Sequence, residues 1–222
     1  MRKITLPQIL IFLSTAMLIL AGAGCLAHWL GTLLPLGIYQ VLVVFFLFLI
    51  LTTLFSLFSY RLFLWMIPLK EGVIEHDSKE EWIYHIHLLF YLLFFHPIIR
   101  GQFLPIPFMR LYFQALGATL GKNTFSSGML LDGIFIKVGS NTLIGQGSIL
   151  TPHAIENDRL AHYPITIGSN VTVGANSTIL PGVTIEDGAI VSAGALVKKG
   201  SHIGKGEIWG GVPAKKITTQ DF

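Results

Sequence analysis

Formal charge is missing from a quarter of the chain: from Ile4 to Tyr60 there is no Asp, Glu, Lys or Arg. Charged residues make up only 12% of all 222 and apolar ones 52%, which excludes an ordinary soluble domain of this size. Cysteine is nearly absent as well. The lone Cys25 excludes an intramolecular disulfide and a Cys-rich metal site, and its apolar setting reads as a small membrane-embedded hydrophobe. The basic residues lack interleaved aromatics, so the chain is not expected to bind nucleic acid.

What fills the uncharged stretch is long enough for two membrane crossings at about 20 residues each. A turn at Gly31-Thr32-Leu33-Leu34-Pro35-Leu36-Gly37 divides it into a helical hairpin. Arg2 and Lys3 precede the hairpin, Arg61 and Lys70 follow it, and its turn carries no charge, so both ends are expected on the cytoplasmic side. A lipoprotein-type leader ending at Cys25 is the weaker reading of the start. After a polar interval, Trp82 to Ile99 is apolar again. Glu80, Tyr84, His87 and Tyr91 fall on one helical face there, which predicts an interfacial or re-entrant helix with its polar stripe at headgroup level or along a substrate groove. Pro97, Pro105 and Pro107 are expected to end that helix, and a short helix near Phe108 to Leu116 to cap the start of the C-terminal region.

The last hundred residues carry a different pattern. A branched or large apolar residue returns every six positions: Val138, Ile144 and Leu150, then, after one interruption, Ile167, Val173, Ile179, Ile185, Val191, Val197, Ile203 and Trp209. Period six fits neither a free helix nor an alternating strand. It fits a β-helix, in which three six-residue steps close a triangular coil of about 18 residues and each step points one side chain inward. The position after each rung should let the backbone bend; Gly139, Gly145, Gly168, Gly174 and Gly204 supply it, with Glu186 and Ser192 as variants. Ser126 and Asp132 stand where apolar rungs are expected in the first coils. Leu150 to Ile167 is one residue short of a full coil, so Glu156 to Pro164 should bulge out as a loop, flanked by His153 and His162.

Pro164-Ile165-Thr166-Ile167-Gly168, Ile179-Leu180-Pro181-Gly182-Val183 and Gly211-Val212-Pro213-Ala214-Lys215 resemble the hexapeptide-repeat acyltransferases, specifically their galactoside, maltose and xenobiotic acetyltransferase branch. Leu116-Gly117-Ala118 and the His153 to Arg159 segment are also similar to the β-helix ending of membrane proteins related to nonribosomal peptide synthetases. The resemblance covers roughly 116 to 217 and implies a left-handed coil, a homotrimer and acetyl-CoA or another acyl-CoA as donor. It says almost nothing of the acceptor.

The chain is thus expected to be mixed in class: a two-helix transmembrane hairpin (1–69), an interfacial and capping segment (70–116), a left-handed parallel β-helix (117–217) and a tail (218–222). Acyl transfer from a thioester needs a base for the acceptor's proton, and a neutral imidazole suits that task near pH 7. His153 resembles the family's base, His162 is the runner-up, and Glu156 and Asp158 are the nearby carboxylates that could orient the ring. The resemblance maps an oxyanion donor loosely onto Ala175. Small Ala175 and Ala193 would let the pantetheine arm lie on the prism, with Lys198, Lys199, Lys215 and Lys216 near its phosphates. Thr172 stands where relatives carry Trp. No nucleophile elbow is present, so direct transfer in a ternary complex is expected. The acceptor is expected to be membrane-proximal, a glycolipid or lipid-linked sugar meeting the surrounding membrane lipids, with a soluble sugar or antibiotic as the alternative. A γ-carbonic-anhydrase-like zinc protein built on His153, His162 and His202, and a silent trimeric scaffold, are the other readings. No resident metal is expected.

Overall fold

The computed structural model describes residues 3–35, 37–101 and 103–217. Arg2 of the leading basic pair, Leu36 of the turn and the 218–222 tail lie outside the described residues. Contacts divide the chain into two units: one takes the residues up to 69 together with 76–97, the other takes 70–75 and the residues from 98 onward. Residues 70–75 and 98–116 therefore group with the coils instead of forming a segment of their own.

The first unit is helical. Helix α1 (Leu6–Thr32) starts at Thr5, whose backbone N–H and hydroxyl both donate to Gln8 Oε1, and α2 (Gln40–Met66) runs back beside it. The α1 face that is buried recurs every three or four residues and is mostly small: Ala16, Ile19, Ala23, Ala27 and Gly31. Small side chains let two backbones approach closely, the usual contact of helices in lipid. At Gly31 a Cβ would sit 2.3 Å from Val44 Cγ2, so that approach needs glycine. The remaining faces expose large apolar residues such as Leu18, Val41 and Phe58.

Helix α3 (Lys79–Gly101) is the third helix long and apolar enough to cross a membrane by length and composition, and half of its apolar window is buried, far more than in the first two. Ser78 caps it, accepting from Glu81 N. Pro97 does not end it as expected. A π-helical turn at Tyr91–Phe95 sits just ahead of the proline, absorbing the lost N–H, and the helix continues through His96–Gly101. Of the polar stripe, Tyr84, His87 and Tyr91 are buried, and His87 Nδ1 lies 2.9 Å from the Tyr60 hydroxyl of α2.

The second unit holds three parallel sheets consistent with a left-handed β-helix. The registers stack the rungs in three columns. Leu120, Val138, Ile167, Ile185 and Ile203 form one; Ser126, Ile144, Val173, Val191 and Trp209 the second; Leu130, Leu150, Ile179 and Val197 the third. From Leu120 to Val197 every rung is buried. Ser126 is tolerated in an apolar column because its hydroxyl is fully used, donating to Gly128 O and accepting from Gly128 N.

The glycines after the rungs are there for a different reason than bending. Their backbones are not left-handed; a Cβ on Gly174 would stand 2.4 Å from Ala193 N of the next coil, so at that position the coils stack too closely for a side chain. The left-handed turns fall two residues later, at Asn141, Asn170 and Asn176 among others. At one end α4 (Ile106–Ala115) covers the first coil: Arg110 donates to the carbonyls of Thr124, Leu120 and Gly121, and Gln114 to that of Leu120, using up an edge that would otherwise be bare. At the other end Lys215–Lys216 pairs antiparallel with Ile208–Gly210. Glu207 receives Lys216 Nζ, the Trp209 indole N–H and Gly204 N–H, which hold its carboxyl well below the usual range.

Candidate active site

Three steps depart from period six: Ser126 to Leu130 takes only four residues, and two lengthened steps then fall at one corner, one coil apart. The step from Leu130 to the next rung, Val138, takes eight residues, because a 3-10 turn (Gly133–Phe135) is inserted after Asp132. One coil on, the step from Leu150 to Ile167 takes 17 residues where six suffice. The excess is not a loop and does not belong to a shortened coil. It is a β-hairpin, His153–Glu156 paired with Arg159–His162 about an Asn157–Asp158 turn, and Gly72–Ile74 adds a third antiparallel strand.

The stacked irregularities meet. His153 Nδ1 lies 2.5 Å from Asp132 Oδ2, with Asp132 5% exposed and held in the left-handed region at φ 45°. Asp132 is therefore not a failed rung; Leu130 is the rung, and the acid sits at the corner beneath the imidazole. Burial works against the charged ring, yet the hydrogen bond and charge of Asp132 outweigh it and raise the His153 pKa above its ordinary value. With Nδ1–H donated to the carboxylate, the proton-accepting lone pair belongs to Nε2, and the side chain keeps about a third of its surface, 31%, open.

The expected orienting carboxylates lie elsewhere. Glu156 is an exposed residue of the hairpin and pairs with Lys199 Nζ at 2.9 Å, while Asp158 is in the exposed turn; neither is hydrogen-bonded to the imidazole of His153, whose Nδ1 is taken by Asp132. His162 is opposite His153 across the hairpin, but it is fully buried and its ring stacks on Phe135 at 4.7 Å and 22°. Asp132 and Phe135 thus flank one 3-10 turn and engage one histidine each. A ring with no accessible surface cannot reach an acceptor, which corrects the runner-up role. His202, third of the zinc candidates, instead faces Glu186 at 3.0 Å.

Ala175 and Ala193 stack at a different corner, after the strands Thr172–Val173 and Ile190–Val191, with Gly194 N bonded to Ala175 O. Lys198 and Lys199 share the His153 corner, and Lys199 Nζ also lies 4.9 Å from the Tyr163 ring centroid. Lys215 and Lys216 lie on the edge strand, where Lys216 is bound to Glu207. One chain therefore brings Lys198 and Lys199 to the histidine's corner and leaves the alanine column on another. His76, Asp77 and Glu81 offer ligand atoms within 4.8 Å of one another, but Glu81 Oε2 already accepts from Asp77 N in the cap of α3.

Asp132, Phe135 and the Gly72–Ile74 strand escaped the sequence reading. The available signal was a charged residue, Asp132, where period six demands an apolar rung, with Leu130 apolar two residues before it.

The family described as "hexapeptide repeat of succinyl-transferase" matches residues 164–199. No curated protein matches the chain. Among solved structures, a hexapeptide-repeat-containing acetyltransferase from Vibrio cholerae in complex with acetyl coenzyme A is 27% identical over 46% of this chain and 60% of that one, with a TM-score of 0.43. A galactoside acetyltransferase in complex with coenzyme A is 20% identical over 75% of this chain and 81% of that one, with a TM-score of 0.42. A maltose O-acetyltransferase from Clostridium difficile 630 is 17% identical over 76% and 86%, with a TM-score of 0.39. The chain spans about 60% of the length of the Vibrio protein.

Proposed function

We propose that the protein is a membrane-bound, CoA-dependent acyltransferase that moves an acetyl or short acyl group to a hydroxyl or amine of a membrane-proximal amphiphile. The observation that carries this reading is the Asp132–His153 pair, an imidazole about one-third open on a buried carboxylate at the step of the coils that is lengthened to a hairpin. Asp132 fixes the tautomer and steadies the imidazolium that forms. Nε2 takes the acceptor's proton as its oxygen or nitrogen attacks the thioester carbonyl, the carbon–sulfur bond breaks, and the same proton leaves with the CoA thiolate.

The donor would lie along the Ala175 and Ala193 column, with Lys198 and Lys215 as exposed cations for its phosphates. Since that column and His153 stand on different corners of one prism, a homotrimer that sets one chain's column beside its neighbour's histidine completes the site. The α1–α2 hairpin crosses the membrane, with α3 packed in the same unit, so that Lys3, Arg61, Lys70 and the coils share the cytoplasmic side, where acyl-CoA is found.

The test is thiol release from acetyl-CoA by detergent-purified protein in the presence of a membrane lipid extract. Release that requires the extract and is lost in His153→Ala supports the reading. Equal release by the two proteins removes His153 as the base. Absence of both release and CoA binding leaves a silent scaffold.

A further inference from the structure

The helix that covers the first coil has a second face, and that face is apolar. On α4 the inner residues Met109, Tyr112 and Phe113 are buried, while Phe108 is 59% and Leu111 58% exposed, with Ile106 and the preceding Phe103 also exposed. Between Arg100 and Lys122 the chain carries one charge, Arg110, and that side chain turns inward onto the coil's carbonyls. The outward face of α4 therefore presents aromatic and branched side chains with no formal charge.

Two facts say what covers it. Helix α3, apolar and packed on the α1–α2 hairpin, ends at Gly101 on the cytoplasmic side in the reading above, and the five residues to Ile106 can span at most about 18 Å. The helix is thus held within reach of the level where α3 ends. The exposed Arg100 sits at that end, a position suited to lipid phosphates. A short amphipathic helix with an apolar outer face, tied to a membrane helix end, is built to lie in the plane of the interface.

We propose that α4 rests on the bilayer surface with Phe103, Ile106, Phe108 and Leu111 among the lipid chains just below the headgroups, seating the first coil directly on the membrane. This rests on the membrane reading above. It goes beyond it in assigning α4 to lipid contact, where the coils could otherwise stand clear on a tether.

Spin labels test it, because Cys25 is the only cysteine. In a Cys25→Ala background reconstituted into phosphatidylethanolamine and phosphatidylglycerol vesicles, labels are placed by Phe108→Cys and Leu111→Cys. Leu18→Cys on α1 and Lys205→Cys on the coils serve as references. Collisions with oxygen exceeding those with a water-soluble nickel chelate at both α4 positions, in the sense seen at Leu18 and opposite to Lys205, are expected. Nickel-favoured collisions at α4 with oxygen-favoured ones at Leu18 overturn the proposal and leave the membrane reading intact. Low collision with both reagents at α4 means protein covers the helix, a second copy of the chain, and also overturns it. Nickel-favoured collisions at Leu18 remove the membrane reading and the proposal together.

Discussion

The coils after the hairpin and the coils before it are made by the same rule and used differently. From Ile167 to Ile203 each step takes six residues, every rung is Val or Ile, and every rung is buried. From Leu120 to Leu150 one rung is a serine and one corner is stretched by a 3-10 turn that holds a left-handed aspartate. The regular half is a stack whose stability comes from dispersion and apolar burial; the irregular half gives up some of that to hold a carboxylate under an imidazole. The lesson is that where two lengthened steps stack at one corner of a repeat, residues far apart in sequence can be brought together as a polar pair.

The largest expected effect breaks the irregular half alone. His153→Ala should lower acyl transfer by about 10²- to 10⁴-fold, read as CoA thiol release, with a smaller shift of the thermal midpoint than a core change gives. In the regular half, Ile179→Ala removes a fully buried rung and should cost about 2–5 kcal/mol of stability, read by denaturant or thermal unfolding.

Asp132→Asn sharpens the contrast, since it keeps the shape and removes the charge. Transfer should fall by about 10-fold or more, short of the loss in His153→Ala. Since Asp132 raises the pKa of the ring and the base works when neutral, the acidic limb of the wild-type pH–rate profile should lie above the ordinary histidine range and move down in the variant. The stability side has the opposite sense: the pair stabilises the fold below the ordinary histidine pKa and loses that contribution as pH rises through the raised one. An unmoved limb would detach Asp132 from the base.

Gly174→Ala should destabilise by about 1–3 kcal/mol, because its new Cβ meets the Ala193 backbone, whereas Gly204→Ala should be nearly silent, meeting only the Glu207 side chain at 3.0 Å. Smallest is Ser126→Ala, at about 1 kcal/mol for two short-range hydrogen bonds lost within one turn.

The rung columns were legible in the sequence because one buried side chain per six residues leaves a period that needs no partner to be seen, and the membrane-length apolar helices were legible from missing charge. His153 stood out as a polar residue at the interruption. Asp132 did not, because it lies 21 residues away and is brought close only by coil stacking, while of the carboxylates nearer in sequence Glu156 pairs with Lys199 and Asp158 lies in the exposed turn. The Tyr60–His87 contact was hidden for the same reason: a helical wheel for Glu80 to Tyr91 gives a face, not what faces it.

The hairpin's third strand has a consequence in time. Ile74 is made 86 residues before its partner Leu160, so at about 5 to 20 residues per second the ribosome delivers that partner roughly 4 to 17 seconds later. Through that interval the Gly72–Ile74 segment has emerged without the strand it will pair with, and the sheet that holds His153 cannot close until the arms of the hairpin arrive. The His153 corner is thus completed late, by chain segments from two well-separated moments of synthesis, and a ribosome pausing between them would leave helices in place and this sheet open.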